Sequence, residues 1–190
     1  KKIKGKNKIV KVYKGIYKGF SLDDNDLEFI SDFDFLHTTF YSYTEKYLSA
    51  FKEKGVKVSF DFSFCREKNY LKKTIPYVDF AFFSGEGEDR EKLKKLMTSI
   101  YELGADYVIF TLGEKGVLAL YDDKFYYQNA KETKVIDSLG AGDAFISMFL
   151  TNIISKKENL EEGDFRKILK ESVDFAAENC KHYGSIKIGR

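Results

Sequence analysis

The chain has 190 residues, a formal net charge of +2 at pH 7, 33% charged residues and 43% hydrophobic residues. This nearly balanced charge gives no case for a nucleic-acid partner, and no apolar run approaches the length of a membrane span. Cys65 and Cys180 are too few for a disulfide scaffold, so we expect a reducing, cytoplasmic location.

Hydrophobic periodicity predicts alternating strands and helices along the first part of the chain. Residues 2–13 predict a β-hairpin with Gly5 and Asn7 in its turn, and residues 21–30 predict a short helix. Further along, the predicted strands are 33–38, 56–62, 78–83 and 107–111. The predicted helices are 43–54 and 89–103, and residues 66–74 predict a polar helix or turn. Strands that alternate with helices of this length indicate a parallel sheet covered on both faces.

The pattern changes after residue 111. Strands at 117–121 and 125–127, joined by Asp122-Asp123-Lys124, predict an antiparallel hairpin, and residues 133–136 predict one more strand. Helices at 143–155 and 165–183 complete the chain. We therefore expect one α/β domain with a mainly parallel central sheet and a hairpin appended at the N-terminus.

The stretch 135–149 contains the most informative turn of the sequence. Gly140-Ala141-Gly142 leads into an apolar helix whose first turn contains Asp143. Small residues at a helix start let backbone N–H groups converge on an anion, and a carboxylate beside them can accept a proton from a hydroxyl. The same residues also fit a tight turn with Asp as a helix cap. On these residues alone the two interpretations are even.

Polar and glycine-rich segments follow two of the other predicted strands. Thr111 to Gly116 has a hydroxyl and two glycines that would allow close approach of a phosphate or a ribose, although such turns are common between strands. Glu86 and Glu88 could hold a hydrated magnesium ion, or could simply favour the helix that follows. Neither His37 nor His182 has a partner pattern for a metal or a nucleophile.

The nonapeptide at 137–145, Asp-Ser-Leu-Gly-Ala-Gly-Asp-Ala-Phe, resembles the carboxy-terminal signature of the PfkB/ribokinase family of sugar kinases. The pattern Thr111-x-Gly113-x-x-Gly116 lies upstream of it, as the nucleotide loop of that family does. The runs 60–63, 78–82 and 182–184 are most similar to the fructosamine kinase branch. The resemblance implies a ribokinase-like three-layer fold, with a partial β lid at residues 1–20 and a nucleotide-binding domain at 21–190. It also implies ATP-dependent phosphorylation of a hydroxyl on a sugar or sugar-amine.

The resemblance implies two sets of site residues. Asp143 would be the base that deprotonates the acceptor hydroxyl, and the amides of Gly140, Ala141 and Gly142 would form the anion hole. Contacts to ATP would come from Thr111, Gly113 and Gly116, with Asn179 bordering the adenine pocket. Glu88 would position magnesium through water beside the ATP phosphates, and Asp137 would lie at a monovalent-cation site, usually potassium.

The chain departs from the family pattern in two places. The expected Asn-x-x-Glu motif is replaced by Ser-Gly-Glu-Gly-Glu at 84–88, which displaces Glu88. The first strands of the family fold, a Gly-Gly motif and most sugar-binding residues are missing, so we expect the natural protein to be longer than this chain. The alternative hypothesis is a non-catalytic or truncated nucleotide- or sugar-binding module of the same fold. Ribokinase, fructokinase or nucleoside kinase activity is the alternative within the class, and a homodimer through the lid is also expected.

Overall fold

The computed structural model describes residues 2–3, 6–7, 21–156 and 160–185. The strands are β1 (Lys2–Ile3), β2 (Lys6–Asn7), β3 (Phe35–Thr39), β4 (Lys57–Asp61), β5 (Phe80–Ser84), β6 (Tyr107–Thr111), β7 (Val117–Tyr121) and β8 (Lys124–Gln128). The α-helices are α1 (Asp24–Ser31), α2 (Leu48–Glu53), α3 (Lys68–Thr74), α4 (Arg90–Tyr101), α5 (Ala141–Ser155) and α6 (Glu162–Asn179). Short 3₁₀ helices occupy Glu45–Tyr47, Ile75–Tyr77 and Gly113–Lys115.

The described residues fall into two compact units. One unit comprises residues 21–112 and 118–126, and the other comprises residues 113–117 and 127–185 with the strand pair β1–β2. No helix in either set of described residues is both long enough and apolar enough to cross a membrane.

The first unit is built on a six-stranded sheet with the order β3-β4-β5-β6-β7-β8. β3, β4, β5 and β6 pair in parallel. Thr39 pairs with Asp61 and Ser84 pairs with Thr111, so the carboxyl ends of these strands meet at one edge of the sheet. The predicted mainly parallel sheet is confirmed.

A buried aromatic row crosses the centre of this sheet. The ring centroids of Phe62 and Phe83 lie 4.7 Å apart, and those of Phe83 and Phe110 lie 4.8 Å apart, each pair in stacked orientation. All three side chains are at most 1% exposed. The near-continuous apolar sequence of β5 follows from this burial, because a central parallel strand is covered on both faces.

The hairpin β7–β8 is also confirmed. A two-residue connection, Asp122-Asp123, is possible only between antiparallel strands, and both residues have positive φ (50° and 57°), as a type I′ turn requires. Asp tolerates this backbone region better than most residues do, which explains its use at both positions.

The second unit packs α5 against α6. Phe149 and Phe165 are fully buried, and their rings meet edge to face with centroids 6.0 Å apart. On α6 the buried apolar residues Phe165, Ile168, Leu169 and Val173 recur at the spacing of one helical face.

The strand predicted at 133–136 is wrong. The amides of Ile136 and Asp137 donate instead to the carbonyl of Cys180, at 2.8 and 3.3 Å, so this segment pairs with the residue after α6 and not with a sheet. Val135 is 59% exposed, which explains why its apolar character misled the prediction. In the N-terminal hairpin, Asn7 pairs with Lys2 in a strand and does not form the turn; the predicted second strand at 8–13 lies outside the described residues.

Candidate functional site

The turn before α5 depends on a glycine. Gly140 is the N-cap of α5 and has a left-handed backbone with φ 79° and ψ 2°. A Cβ at this position would lie 2.5 Å from Ser185 Cβ and 2.6 Å from Ser185 Cα. Residue 140 is therefore restricted to glycine by its own conformation and by the close approach of the chain at Ser185.

Backbone amides converge at the start of α5. The helical hydrogen-bond ladder begins with the N–H of Ala144, which donates to Gly140 O at 2.9 Å, so the amides of the preceding residues have no partner within the helix. Ala141 N–H donates to Ser138 O at 3.2 Å. At Gly142, apart from the backbone of the helix itself, no atom of the described residues lies within 4 Å of the place where a Cβ would be, so this side of the helix start is not covered by described residues.

Asp143 is the third residue of α5 and its side chain is exposed. The next three residues, Ala144, Phe145 and Ile146, are buried and anchor the first turns of the helix. The arrangement presents a carboxylate beside amides that favour negative charge, on a rigid helix rather than on a loop. The predicted grouping of Asp143 with Gly140, Ala141 and Gly142 is thus present in one turn of backbone.

Asp137 and Asn179 hold the loop that precedes this helix. Asp137 accepts the N–H of Leu139 on Oδ1 at 3.1 Å and the N–H of Gly184 on Oδ2 at 3.3 Å. Asn179 Nδ2 donates to Leu139 O at 3.1 Å. Burial raises the pKa of the nearby Cys180 thiol, and the charge of Asp137 adds to this effect. These contacts give both residues a structural role, and their predicted cation and adenine roles stay predictions.

The second predicted glycine loop also has a structural reason for its composition. Gly113 and Gly116 both have positive φ, 62° and 97°. A Cβ on Gly116 would overlap the backbone of Gln128, Asn129 and Ala130, so close packing of the chain accounts for Gly116 before any ligand is considered. Tyr127 Oη donates to Lys115 O at 2.6 Å and fixes the loop from the side.

Thr111 lies in the sheet unit, at the carboxyl end of β6. Its hydroxyl is 3.4 Å from Phe83 O, and its carbonyl accepts the N–H of Gly85 at 2.8 Å. Gly85 is buried, and a Cβ there would lie 3.0 Å from side-chain atoms of both Leu93 and Phe110. The segment after β5 is therefore packed tightly against the end of β6.

Arg66 occupies the same edge of the sheet, and nothing in its sequence context beyond its position after β4 indicated its importance. Its guanidinium donates to Ser84 O at 2.6 Å and to the carbonyls of Ser63 and Cys65 at 3.2 and 3.0 Å. It also lies 5.1 Å from the ring centroid of Phe83. Burial lowers the pKa of this group, and Glu88, 3.2 Å away, opposes that effect.

The residues around Glu88 do not fit a metal cage. One oxygen of Glu88 is paired with the Arg66 cation, which competes with any metal ion for the same charge. Within the described ranges, no group of three or more His, Cys, Asp or Glu side chains could hold a metal ion. Direct coordination of magnesium by protein carboxylates therefore has no support in this arrangement, and the predicted role of Glu88 through water stays a prediction.

Comparison with known proteins identifies the family. Residues 79–188, more than half of the chain, match the pfkB family of carbohydrate kinases. The chain belongs to this family. This match includes the Gly140 turn, Asp143, both loop glycines and Asn179.

Two curated relatives and one solved structure extend the pfkB comparison. The chain is 37% identical to the fructosamine kinase FrlD of Bacillus subtilis (strain 168) over 169 residues, 89% of this chain and 57% of that protein. It is 35% identical to the fructoselysine 6-kinase of Escherichia coli (strain K12) over 136 residues, 72% of this chain and 52% of that protein. The chain spans about half the length of these relatives.

The fold of this pfkB chain matches a solved ribokinase. The ribokinase of Arabidopsis thaliana, complexed with ribose and ATP, superposes with a TM-score of 0.70 at 19% identity, over 86% of this chain and 55% of that chain. The expected ribokinase-like fold is confirmed.

Proposed function

We propose that this chain carries the phosphoryl-transfer centre of an ATP-dependent kinase that acts on a hydroxyl of a fructosamine-type sugar. The first turn of α5 is the observation that carries the proposal, since it joins a left-handed Gly140, amides that have no partner within the helix and an exposed Asp143. Membership of the pfkB family sets the reaction class, and the names of the two curated relatives supply the substrate class.

The proposed reaction uses these groups for different parts of the transfer. The acceptor hydroxyl oxygen attacks the γ-phosphorus of ATP, the bond to the β,γ-bridging oxygen breaks, and ADP leaves with that electron pair. Asp143 accepts the proton of the hydroxyl. The amides at the start of α5 stabilise the charge on the equatorial oxygens of the transferring group, because fixed dipoles need no reorganisation as that charge develops.

Metal ions enter this proposal only with the nucleotide or as monovalent ions. Magnesium binds the phosphates of ATP and keeps several of its waters, so it needs few protein ligands. Asp137 remains the proposed contact for a monovalent cation such as potassium, with its two oxygens also accepting backbone N–H groups. The homodimer expected from the lid also stays a prediction.

Replacement of Asp143 by Asn tests the proposed base. Asp143→Asn keeps the size and the helix position but removes the proton acceptor, so kcat should fall roughly 10²–10⁴-fold while ATP affinity is largely kept. ADP release in the presence of fructoselysine and ATP measures kcat, and calorimetric titration with ATP measures affinity.

Asp24→Asn is the matched control, because Asp24 is also an exposed Asp in the first turn of a helix. This variant should leave kcat unchanged. An Asp143→Asn protein that turns over at the normal rate would show that the assigned base is wrong. ADP release with ribose, fructose or a nucleoside, but not with fructoselysine, would instead move the substrate class within the family.

A further inference from the structure

The strap, residues 180–185, is the segment after α6, and it runs along the turn that leads into α5 within the same compact unit. At its start, Cys180 O accepts the N–H groups of Ile136 and Asp137 at 2.8 and 3.3 Å. Near its other end, the N–H of Gly184 donates to Asp137 Oδ2 at 3.3 Å. Two separate positions of the strap are therefore hydrogen-bonded to the turn.

Asp137 connects the strap to the turn through a single carboxylate. Its Oδ1 accepts the N–H of Leu139 in the turn at 3.1 Å, while its Oδ2 accepts the N–H of Gly184 in the strap. Hydrogen bonds to an ionised acceptor are stronger than those between neutral groups. The position of Leu139, just before the N-cap of α5, is thus linked to the backbone of the strap.

The strap also lies directly against the N-cap residue. A Cβ on Gly140 would be 2.6 Å from Ser185 Cα and 3.1 Å from Ser185 O, so the two backbones pack without any space between them. Gly140 sets the direction in which the chain enters α5, and the amides of the first helical turn follow it immediately. Because closely packed backbones move together, a displaced strap would displace these amides as well.

The strap depends on a left-handed glycine of its own. Gly184 has φ 82°, and no described atom lies within 4 Å of the place where its Cβ would be. Conformation, and not crowding, therefore requires glycine at this position. A β-branched residue is a rare outlier at such a φ, whereas Asn tolerates it. The strap can thus be strained at Gly184 without a steric clash at the turn.

We propose that the strap holds the amides at the start of α5 in the geometry that phosphoryl transfer requires, with Asp137 and Gly184 as positioning residues. This inference rests on the proposed function, in which those amides stabilise the charge of the transferring group. Fixed dipoles lower the barrier only when they are oriented before the charge develops. Loss of the strap contacts therefore lowers kcat and leaves the KM for ATP nearly unchanged.

Hydrogen–deuterium exchange of Gly184→Val tests the contact without turnover. Peptides that cover residues 136–145 should exchange at least about threefold faster than in the wild type, because the strap no longer protects the turn. Gly55→Val is the matched control. Gly55 has φ 80° and no described atom within 4 Å of its Cβ position, but it follows α2 in the sheet unit. The control should leave exchange at 136–145 unchanged, although both variants should lower the urea midpoint to a similar extent.

Turnover gives the readout that a merely structural role would not move. ADP release from ATP and fructoselysine, at a fixed potassium concentration, should show kcat at least about tenfold lower for Gly184→Val, with the KM for ATP within about twofold of the wild type. Gly55→Val should keep the wild-type kcat. Gly184→Asn should restore kcat to within about twofold, since Asn tolerates the left-handed backbone. Gly184→Ala, which is less strained, should lower kcat in the same direction and replaces the valine variant if that protein does not fold.

The outcomes separate the strap from the kinase proposal. Unchanged exchange at 136–145 in Gly184→Val, or equal kcat in both valine variants, would overturn the role of the strap and leave the proposed function intact. Faster exchange together with a kcat that Gly184→Asn restores would support it. A wild-type chain that releases no ADP with fructoselysine or with neutral sugars would overturn the proposed function and the catalytic role of the strap together.

Discussion

The turn before α5 and the loops that follow β3, β4 and β5 differ in which groups prepare them for a ligand, backbone groups or side-chain groups. At the turn the backbone does so, through Gly140 and the amides of the first helical turn, which have no partner within the helix. In the loops and the short helices that follow them side chains do so, through Arg66 with four acceptors and through Glu45 and Tyr70, each with a buried atom that has no hydrogen-bond partner in the described part of the chain. An arrangement of backbone amides requires particular residues at a fixed spacing, whereas an arrangement of side chains depends on tertiary packing.

The largest expected effect concerns a comparison of two glycines, Gly116 in the loop after β6 and Gly142 in the first turn of α5. Gly116→Ala should lower the free energy of unfolding by about 3–5 kcal/mol, because φ is 97° and the new Cβ would overlap the backbone of residues 128–130. Gly142→Ala should stay within about 1 kcal/mol of the wild type, since φ is not left-handed there and, apart from the helix backbone, no described atom lies within 4 Å of the Cβ position. Urea denaturation measures both variants.

Gly116 and Gly142 together separate the two reasons for a glycine in a proposed nucleotide site. If Gly116→Ala were as stable as Gly142→Ala, close packing would not explain Gly116, and its role would have to come from the ligand. By resemblance Gly116 would contact ATP and Gly142 would belong to the anion hole, and a difference in stability between the two variants, measured without ligand, would belong to the fold and to neither role.

The sequence predicted most of the first region because its requirements are local. The nonapeptide at 137–145 specifies a left-handed glycine, small residues and a carboxylate at fixed spacing, and the structure brings them into one turn. The predicted sheet also agrees, with β6 and β7 at the predicted bounds, since apolar runs of this length fit only buried strands between helices. The strand at 133–136 failed because its hydrogen-bond partner, the carbonyl of Cys180, lies 44 residues away in sequence from Ile136.

The second region was nearly invisible in the sequence for the same physical reason. Arg66 follows β4 in an unremarkable loop, and its four acceptors come from residues 63, 65, 84 and 88. Glu45 and Lys46 stand side by side in the sequence, yet the carboxylate has a buried oxygen and the ammonium is exposed over a ring. Only the folded packing tells such residues apart.

An intermediate effect is expected for the guanidinium of the second region. Arg66→Lys should lower the free energy of unfolding by about 1.5–3 kcal/mol, because an ammonium cannot reach the carbonyls of Ser63, Cys65 and Ser84 together with Glu88. Arg166→Lys is the control, as its side chain is 56% exposed in a helical pair with Glu162, and it should change stability by less than about 0.5 kcal/mol. Urea denaturation of both variants would contradict this account if the two losses were equal.

The smallest effect is expected at alkaline pH and comes from Tyr70. Burial, with the charge of Glu45, raises the pKa of Tyr70 in the folded chain above the ordinary value of about 10. The folded state therefore favours the neutral phenol: this contribution to stability is complete below about pH 10 and is lost as the pH rises through the folded pKa. Tyr70→Phe should make the decline of the urea midpoint above pH 10 shallower. Part of the decline should remain, because the pKa values of Lys57 and Tyr107 are also raised in the folded chain. At neutral pH the variant should be as stable as the wild type, because the buried hydroxyl that it removes has no hydrogen-bond partner among the described residues. A Tyr70→Phe protein that lost stability at neutral pH would show that the phenol has a structural partner, and this hydroxyl would then need no ligand.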